Sequence, residues 1–473
     1  MEDRRPHIII IGAGFGGVEL AKGFGNKPVR VTLIDQYNYH NFQPLMYQVA
    51  TGGLEPNSIA HPARRIIRKY RNVSFRMTLV ARIDRERNCI QTSIGELSYD
   101  YLILATGSKT NYFNFEPVKD QMLTLKSIPD ALDMRSFIFH NLERAAVIKD
   151  PVSLSSRLNV AIVGGGPAGI ELAGALAEMR SHVIPKDFKG LDTSKMEIHL
   201  YESGGELLGA MSKNAQEKSL KYLTEMGVDV HLNSRATEYK DNVLHISDGS
   251  TFPTLTVIWT AGVQGAPVPG LPEEAKAPQN RVKVDDYQIV TGTDNIYAVG
   301  DVSFQIDEKF IHGLPMLAPV AQQQGDYVVK HLLNRLNGKA NDKSFSYFDK
   351  GTMATVGRNR AVVDLPTGQS FGGAFAWFIW MFVHIFSIVG FRNKFVAFFD
   401  WLTNYISYDQ PLGLITRSYN RTLATHDGVD SSEILKPESR ETAVERMNQE
   451  QERKANLRST TPAAQQEELE PAE

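Results

Sequence analysis

The sequence predicts an α/β fold with two parallel-sheet units, and two observations carry that expectation. A short apolar run, HIIII at residues 7–11, is closed by the glycine turn GAGFGG and followed by the helix-like VELAKGF. The same order recurs at RLNVAIVGGGPAGIELAGALAEM, residues 157–179. Strand, glycine turn and helix in succession open a Rossmann-like unit, so two such units are expected. A third observation adds a C-terminal helical region. In GGAFAWFIWMFVHIFSIVGFRNKFVAFFDW, residues 372–401, five Phe and two Trp precede the first full charge, Arg392.

In the first turn Gly12 allows the tight bend, Gly14 lets backbone approach a pyrophosphate, and Gly17 lets the helix pack close to the strand. Phe15 and Gly16 complete the turn at the helix start. Asp35 ends the next strand, VRVTLID, about 20 residues on, where an acid can accept hydrogen bonds from a ribose 2′-OH. In the second turn Gly164, Gly166 and Gly169 take the three glycine positions, with Pro167 and Ala168 between the last two, and the strand MEIHLYE ends in Glu202. Ser203, Gly204 and Gly205 follow that acid, with no Arg or Lys to pair a 2′-phosphate. NADH is therefore favoured over NADPH, and tolerance for both stays open.

Composition removes several classes. At 473 residues, 42% hydrophobic and 22% charged, the chain has room for two or three domains. With 51 basic against 54 acidic residues the net charge is −3, and no long basic stripe suits a nucleic-acid groove. The single cysteine, Cys89, rules out an intrachain disulfide, a CxxC zinc site and a redox dithiol. The 12 histidines show neither HExxH nor Cys/His ligand spacing, so no metal site is expected. The N-terminus enters an apolar strand by His7, leaving no room for a signal or transit segment, which points to a cytoplasm.

Further segments resemble a known superfamily. YDYLILATGS, residues 99–108, is similar to the segment closing the FAD domain of two-dinucleotide-binding flavoproteins, where Ala105, Thr106 and Gly107 turn beneath the nucleotide. NIYAVGDV, residues 295–302, resembles their second FAD signature, whose aspartate, here Asp301, binds the ribityl chain. TVIWTAGV, residues 256–263, resembles the matching strand and turn of the NAD domain, ending at Ala261 and Gly262. The resemblance implies FAD in the first site and NADH in the inserted second one. The expected division is an FAD unit at 1–113 and 288–345, an NADH unit at 114–287, a membrane and quinone region at 346–425 and an acidic tail at 426–473.

Within that superfamily the chain is similar to the type II NADH:quinone oxidoreductases. YNYHNFQPLMYQVATGGLEP, residues 37–56, resembles their loop from the ribose acid to beneath the flavin ring. Phe42, Pro44, Leu45 and Tyr47 can build a dry flat wall, while Gln43 and Gln48 can offer hydrogen bonds; a buried core loop is the alternative. LAPVAQQQGDYV, residues 317–328, resembles the family's helix start beside flavin and quinone: Ala318, Ala321, Gln323 and Gln324 match, but Pro319 replaces a common glutamine. Proline suits a first helical turn, so the helix is still expected. The resemblance places Glu171 at the boundary of the nicotinamide and quinone pockets, in a proton-passing or a structural role, and Lys350 with Met353 at the quinone entrance, a solvated strand end being the alternative for Lys350.

These parts imply an enzyme in which FAD takes a hydride from NADH and passes two electrons onward. Disulfide and sulfide:quinone reductases need cysteine pairs, which leaves a membrane quinone as acceptor, and no proton pumping is expected because the sequence offers no bundle of spanning helices to carry protons. The expected site is the cytoplasmic face of a bacterial inner membrane. Residues 371–391 are long enough to span a bilayer, yet their aromatic density and the amphipathic stretch after them favour lying in one leaflet. On that stretch Asn393, Asp400, Asn404 and Ser407 share one face, and Phe395, Phe399, Leu402 and Ile406 another. A homodimer through the same apolar face remains open, as do two other functions: a soluble NAD(P)H-dependent flavoreductase, and an NADH-responsive flavoprotein acting through partners. Residues 238–251 read as a surface hairpin or meander, and the tail as solvated, with one helical stretch at 437–457.

Overall fold

The structure, a computed structural model, describes residues 4–340, 343–407 and 413–415. HIIII forms the strand His7–Ile11, buried along its whole length, as a parallel strand covered on both faces must be. It is the middle of a five-stranded parallel sheet ordered Ile296–Ala298, Tyr101–Leu104, His7–Ile11, Arg30–Asp35, Val73–Met77. The chain leaves this sheet after Leu104 and returns to it only at Ile296. Between them lies a four-stranded parallel sheet ordered Asp229–His231, Ile198–Tyr201, Val160–Val163, Thr256–Trp259. Between its strands Asp229–His231 and Thr256–Trp259 the chain folds as an antiparallel meander of Ala236–Lys240, Val243–Ile246 and Thr251–Pro253.

Close backbone approach explains the glycines. Gly12 has φ +108°, and a Cβ there would overlap the Ala105 carbonyl; a Cβ on Gly17 would overlap the Gly12 carbonyl. The helix Phe15–Gly23 is thereby locked against the strand ends on both sides. Gly164 (φ +114°) and Gly169 repeat the arrangement against Ala261 and the Gly164 carbonyl, at the start of the helix Pro167–Glu178.

An antiparallel sheet of Thr352–Gly357, Arg360–Asp364 and Ser370–Gly373 lies on the helix Pro167–Glu178. Gly174, in mid-helix, sits so close to the Val356 carbonyl that a Cβ would overlap it. Two helices follow, Ala374–Ser387 and Phe391–Ser407, separated by a turn in which Gly390 has φ +93°. The single helix considered over 371–391 is thus not formed. Its main piece has 14 residues, about 21 Å at 1.5 Å per residue against a hydrocarbon core of about 30 Å. Among the described residues no helix is long and apolar enough to cross a membrane.

The amphipathic split of the second helix is realised with its polar side inward. Asn393 is buried and its Nδ2 donates to the Ala60 carbonyl at 3.0 Å, and Asp400 accepts from Ser58 Oγ at 3.3 Å. Phe395, Phe399 and Leu402 face outward, 50%, 51% and 41% exposed. The side chains of Asn404, Ile406 and Ser407, and the tail 426–473 with its helical stretch 437–457, lie outside the described residues.

Candidate functional site

The two acids expected at the ribose positions have matching backbone partners. Asp35 accepts from the Ala13 N–H at 2.6 Å and the Tyr37 N–H at 2.8 Å; Glu202 accepts from the Gly165 N–H at 2.7 Å and the Gly204 N–H at 2.7 Å. Each acid reaches back to the residue after the first glycine of its turn, so one carboxylate orders both the turn and the loop beyond the next strand. Burial raises the Asp35 carboxyl from its usual range, opposed by those N–H groups. A carboxylate has lone pairs left for a ribose hydroxyl after taking two N–H bonds.

Three features of the first unit fit a bound dinucleotide. A Cβ on Gly14 or on Gly107 would meet no protein atom, so both leave open space where the backbone faces outward. Thr106 Oγ1 is buried without a partner among the described residues, a polar group awaiting one. Asp301 accepts from Ser108 Oγ at 2.6 Å, and Ser108 accepts from Lys126 Nζ at 3.0 Å. Burial lowers the Lys126 ammonium while Asp301 and Asp130 hold it up. Gln324 Oε1 accepts from the Gly300 N–H at 2.7 Å and fixes the turn carrying Asp301. Ala318 and Pro319 open the helix Ala318–Leu336 as expected, and the Ala321 carbonyl lies beside Gly16. In the second unit Gly166 repeats the open position of Gly14, Pro167 and Ala168 are exposed at the helix start, and Ala261 with Gly262 closes the opposite side.

Glu171 lies on the second glycine-turn helix and faces a cavity of about 110 Å³, walled by Tyr47 and Gln48 on one side and Trp380, Trp401 and Tyr405 of the C-terminal helices on the other. Desolvation pushes its carboxyl up to about 8, against a hydrogen bond from the Thr355 backbone. Glu178, two turns along the same helix face, also borders the cavity, is raised by burial, and accepts from the Arg358 N–H at 2.5 Å. The Trp380 indole N–H is buried and has no acceptor among the described residues. Tyr47, next to Glu171, titrates well above its ordinary value because it is buried beside that carboxyl.

Ring contacts connect this wall to the first turn. Phe15 meets Phe42 edge-on at 5.8 Å, Phe42 meets His384 at 6.0 Å, and His384 stacks on Trp380 at 4.3 Å. Burial lowers His384 to about 4 and leaves it neutral, with Nδ1 donating to the Trp380 carbonyl at 2.7 Å.

Five expected quinone or catalytic residues, Phe42, Pro44, Gln323, Lys350 and Met353, are not among the side chains lining this cavity, Phe42 lying behind it against His384. Gln323 is engaged elsewhere, its amide making paired bonds with the Phe348 backbone at 2.9 Å each. Pro44 belongs to the short helix Gln43–Leu45, and Met353 packs into the neighbouring core. Lys350 is exposed at the start of the C-terminal sheet. Sequence reasoning missed Trp380, Trp401, Tyr405, Glu178 and Lys126. Only the aromatic density of 372–401 hinted at any of them.

The family described as pyridine nucleotide-disulphide oxidoreductase matches residues 6–325, and the NDH2 C-terminal domain matches residues 350–407. The "Type II NADH:quinone oxidoreductase Ndh" of Mycobacterium tuberculosis is 32% identical over 418 residues, covering 85% of this chain and 89% of its own. The chain belongs to the type II NADH:quinone oxidoreductases. A Haemophilus influenzae type II NADH:quinone oxidoreductase is 30% identical, over 76% of this chain and 87% of its own. The structure of NDH2 from Plasmodium falciparum in complex with NADH shares the fold with a TM-score of 0.79 at 22% identity, over 86% of this chain and 100% of that one. As a type II NADH:quinone oxidoreductase the chain is an FAD-dependent enzyme that uses NADH.

Proposed function

We propose that this enzyme works in one leaflet at the surface of a membrane, the cytoplasmic face of a bacterial inner membrane. There it oxidises NADH, in preference to NADPH, and reduces a quinone dissolved in the lipid, without pumping protons. The supporting observation is a division of labour within the two C-terminal helices. Trp380 and Trp401 wall the Glu171 cavity, while Phe382 (61%), Phe386 (61%) and Phe399 (51%) on the same helices are exposed. Exposed aromatics in such a row gain free energy from lipid, so the helices that anchor the enzyme also border the chamber its acceptor enters.

Residues 1–113 and 288–345 hold FAD, through Gly12, Gly14, Asp35, Thr106 and Asp301, and residues 114–287 hold NADH, through Gly164, Gly166, Gly169 and Glu202. FAD, when bound, supplies the hydride and electron chemistry. Glu171, uncharged near neutral pH, holds a proton at the cavity wall where a reduced quinone needs one. Gln48 and Tyr47 orient the quinone from the opposite side.

Replacing Phe382, Phe386 and Phe399 together by Gln tests the reading. The variant should move from the membrane pellet to the supernatant, keep its NADH:ferricyanide rate, and lose most of its rate with long-chain quinone in membranes. Retention in the pellet after that change would sink it.

A further inference from the structure

We propose that the exposed cations of residues 64–71, with the outward apolar faces of the two C-terminal helices, form a docking surface for anionic phospholipid headgroups. The inference rests on the membrane-surface reading and specifies the lipid that surface meets.

The charge is concentrated where the chain as a whole has none to spare. From Pro56 to Ile83 there are seven Arg or Lys residues, at 64, 65, 68, 69, 71, 76 and 82, and no Asp or Glu, in a chain of net charge −3. The whole-chain balance hid this patch. Arg64, Arg65, Arg68, Lys69 and Arg71 are exposed, whereas Ala63, Ile66 and Ile67 of the short helix Ala63–Ile67 are buried in the core of the first sheet. Helical spacing has split this segment into an anchored apolar side and a cationic outer side. Arg65, Arg68, Lys69 and Arg71 make no ion pair with any described residue. Lys69 lies over the Tyr70 ring, 5.1 Å from its centroid, and no carboxylate among the described residues pairs with any of the four.

The patch directly adjoins the helices assigned to lipid. The strand Ala60–Pro62 precedes the cationic helix without a gap, and Ala60 accepts the Asn393 side chain at 3.0 Å. The His61 imidazole lies against Gly390 in the turn between the two C-terminal helices, and a Cβ there would meet its Cε1 at 2.8 Å. Val389 of that turn packs on the same core as Ile66 and Ile67. Burial and the charges of Arg65 and Arg68 lower His61, the side chain against which that turn packs. Arg392, exposed at the start of the second helix, adds one more cation on this side.

An apolar face bordered by unpaired arginines matches the depth profile of a leaflet, with hydrocarbon beside phosphate. A nucleic acid would meet the same cations but would gain nothing from Phe395 and Phe399 beside them.

The test measures sedimentation of full-length, flavin-loaded enzyme with vesicles of phosphatidylcholine alone or mixed with phosphatidylglycerol. It is repeated at low and high salt, and with the variant Arg65→Gln/Arg68→Gln/Lys69→Gln/Arg71→Gln. Each cation near an anionic surface strengthens partitioning about fivefold, so the variant, with four fewer, should bind the anionic vesicles about 600-fold more weakly. Its binding to neutral vesicles, flavin content and NADH:ferricyanide rate should match the wild type. High salt should reduce wild-type binding to the anionic vesicles alone. Equal wild-type binding to both vesicle types, or a variant indistinguishable from wild type, would overturn the headgroup proposal and leave the membrane-surface reading standing. Binding to neither vesicle would sink that reading itself.

Discussion

Trp401 donates its indole N–H to the Gln48 side-chain oxygen at 2.5 Å, and Gln48 donates in turn to the Tyr47 hydroxyl at 2.8 Å. The last C-terminal helix is thereby tied to the loop that leaves the first ribose acid. Trp401→Phe would keep most of the packing but leave a partly buried amide oxygen without its donor, a cost of about 1–3 kcal/mol. The expected outcome is a lower melting temperature and a raised KM for a short-chain quinone, with NADH:ferricyanide turnover unchanged. Unchanged quinone kinetics would show that this bond serves stability alone.

The first glycine turn separates folding from binding within one hexapeptide. Gly17→Ala forces a Cβ into the Gly12 carbonyl, a backbone collision that no rotamer change relieves, and should destabilise the protein by about 3 kcal/mol or more. Gly14→Ala meets no protein atom, and at φ −71° an alanine is unstrained there. The flavin-free protein should therefore melt within about 0.5 kcal/mol of wild type, yet retain far less FAD, because the added methyl occupies the space left for the pyrophosphate. Thermal melts of the apoprotein and flavin absorbance after gel filtration decide between the two outcomes.

In the proposed function Glu202 is the residue that discriminates against a 2′-phosphate. Its carboxylate is held by the Gly165 and Gly204 N–H groups, which aim it at the mouth of the second turn. Glu202→Gln removes the repulsive charge while keeping one acceptor oxygen. The ratio of kcat/KM for NADH over NADPH should fall at least about tenfold, equivalent to about 1.4 kcal/mol. An unchanged ratio would mean that the acid orders the turn without touching the ribose.

What could be read from the sequence, and what could not, follows from the range of the interactions. Both glycine turns, their strands and the helix beginning at Ala318 were legible because each is specified within a few residues, by φ > 0 positions, β-branched runs and a first-turn proline. The pairing of Asp35 with Ala13 and of Glu202 with Gly165 was not, since it depends on how strand ends lie side by side. The Glu171 cavity is further out of reach: it is closed by Trp380, Trp401 and Tyr405, which come from more than 200 positions away. Composition singled out residues 372–401 as an aromatic segment, but not as a wall with an inner side. It also left a spanning helix open, although the glycine in SIVGF is where the structure breaks it. Lys126 gave no signal at all, because a lone lysine in a linker-like stretch becomes notable only once it is buried beside Ser108 and Asp301.

Glu171 makes both stability and turnover depend on pH in a calculable direction. Its carboxyl is raised from 4.5 to about 8 by desolvation, so between those values the native state keeps a proton that the unfolded chain has released. The unfolded state then binds fewer protons, and stability falls as pH rises: the contribution is fully present below about 4.5 and is lost through about 8. Glu171→Gln cannot ionise, so the variant should gain melting temperature relative to wild type at about pH 8 compared with about pH 5. A residual slope should persist, because Glu178 is shifted in the same direction. In catalysis, the wild-type quinone reductase rate should decline as pH passes about 8, when the proton at the cavity wall is lost, while the NADH:ferricyanide rate does not. The glutamine variant should be slow with quinone at every pH and show no inflection there. A variant that retained the wild-type inflection would place the titrating group elsewhere, with Glu178 the next carboxyl to replace.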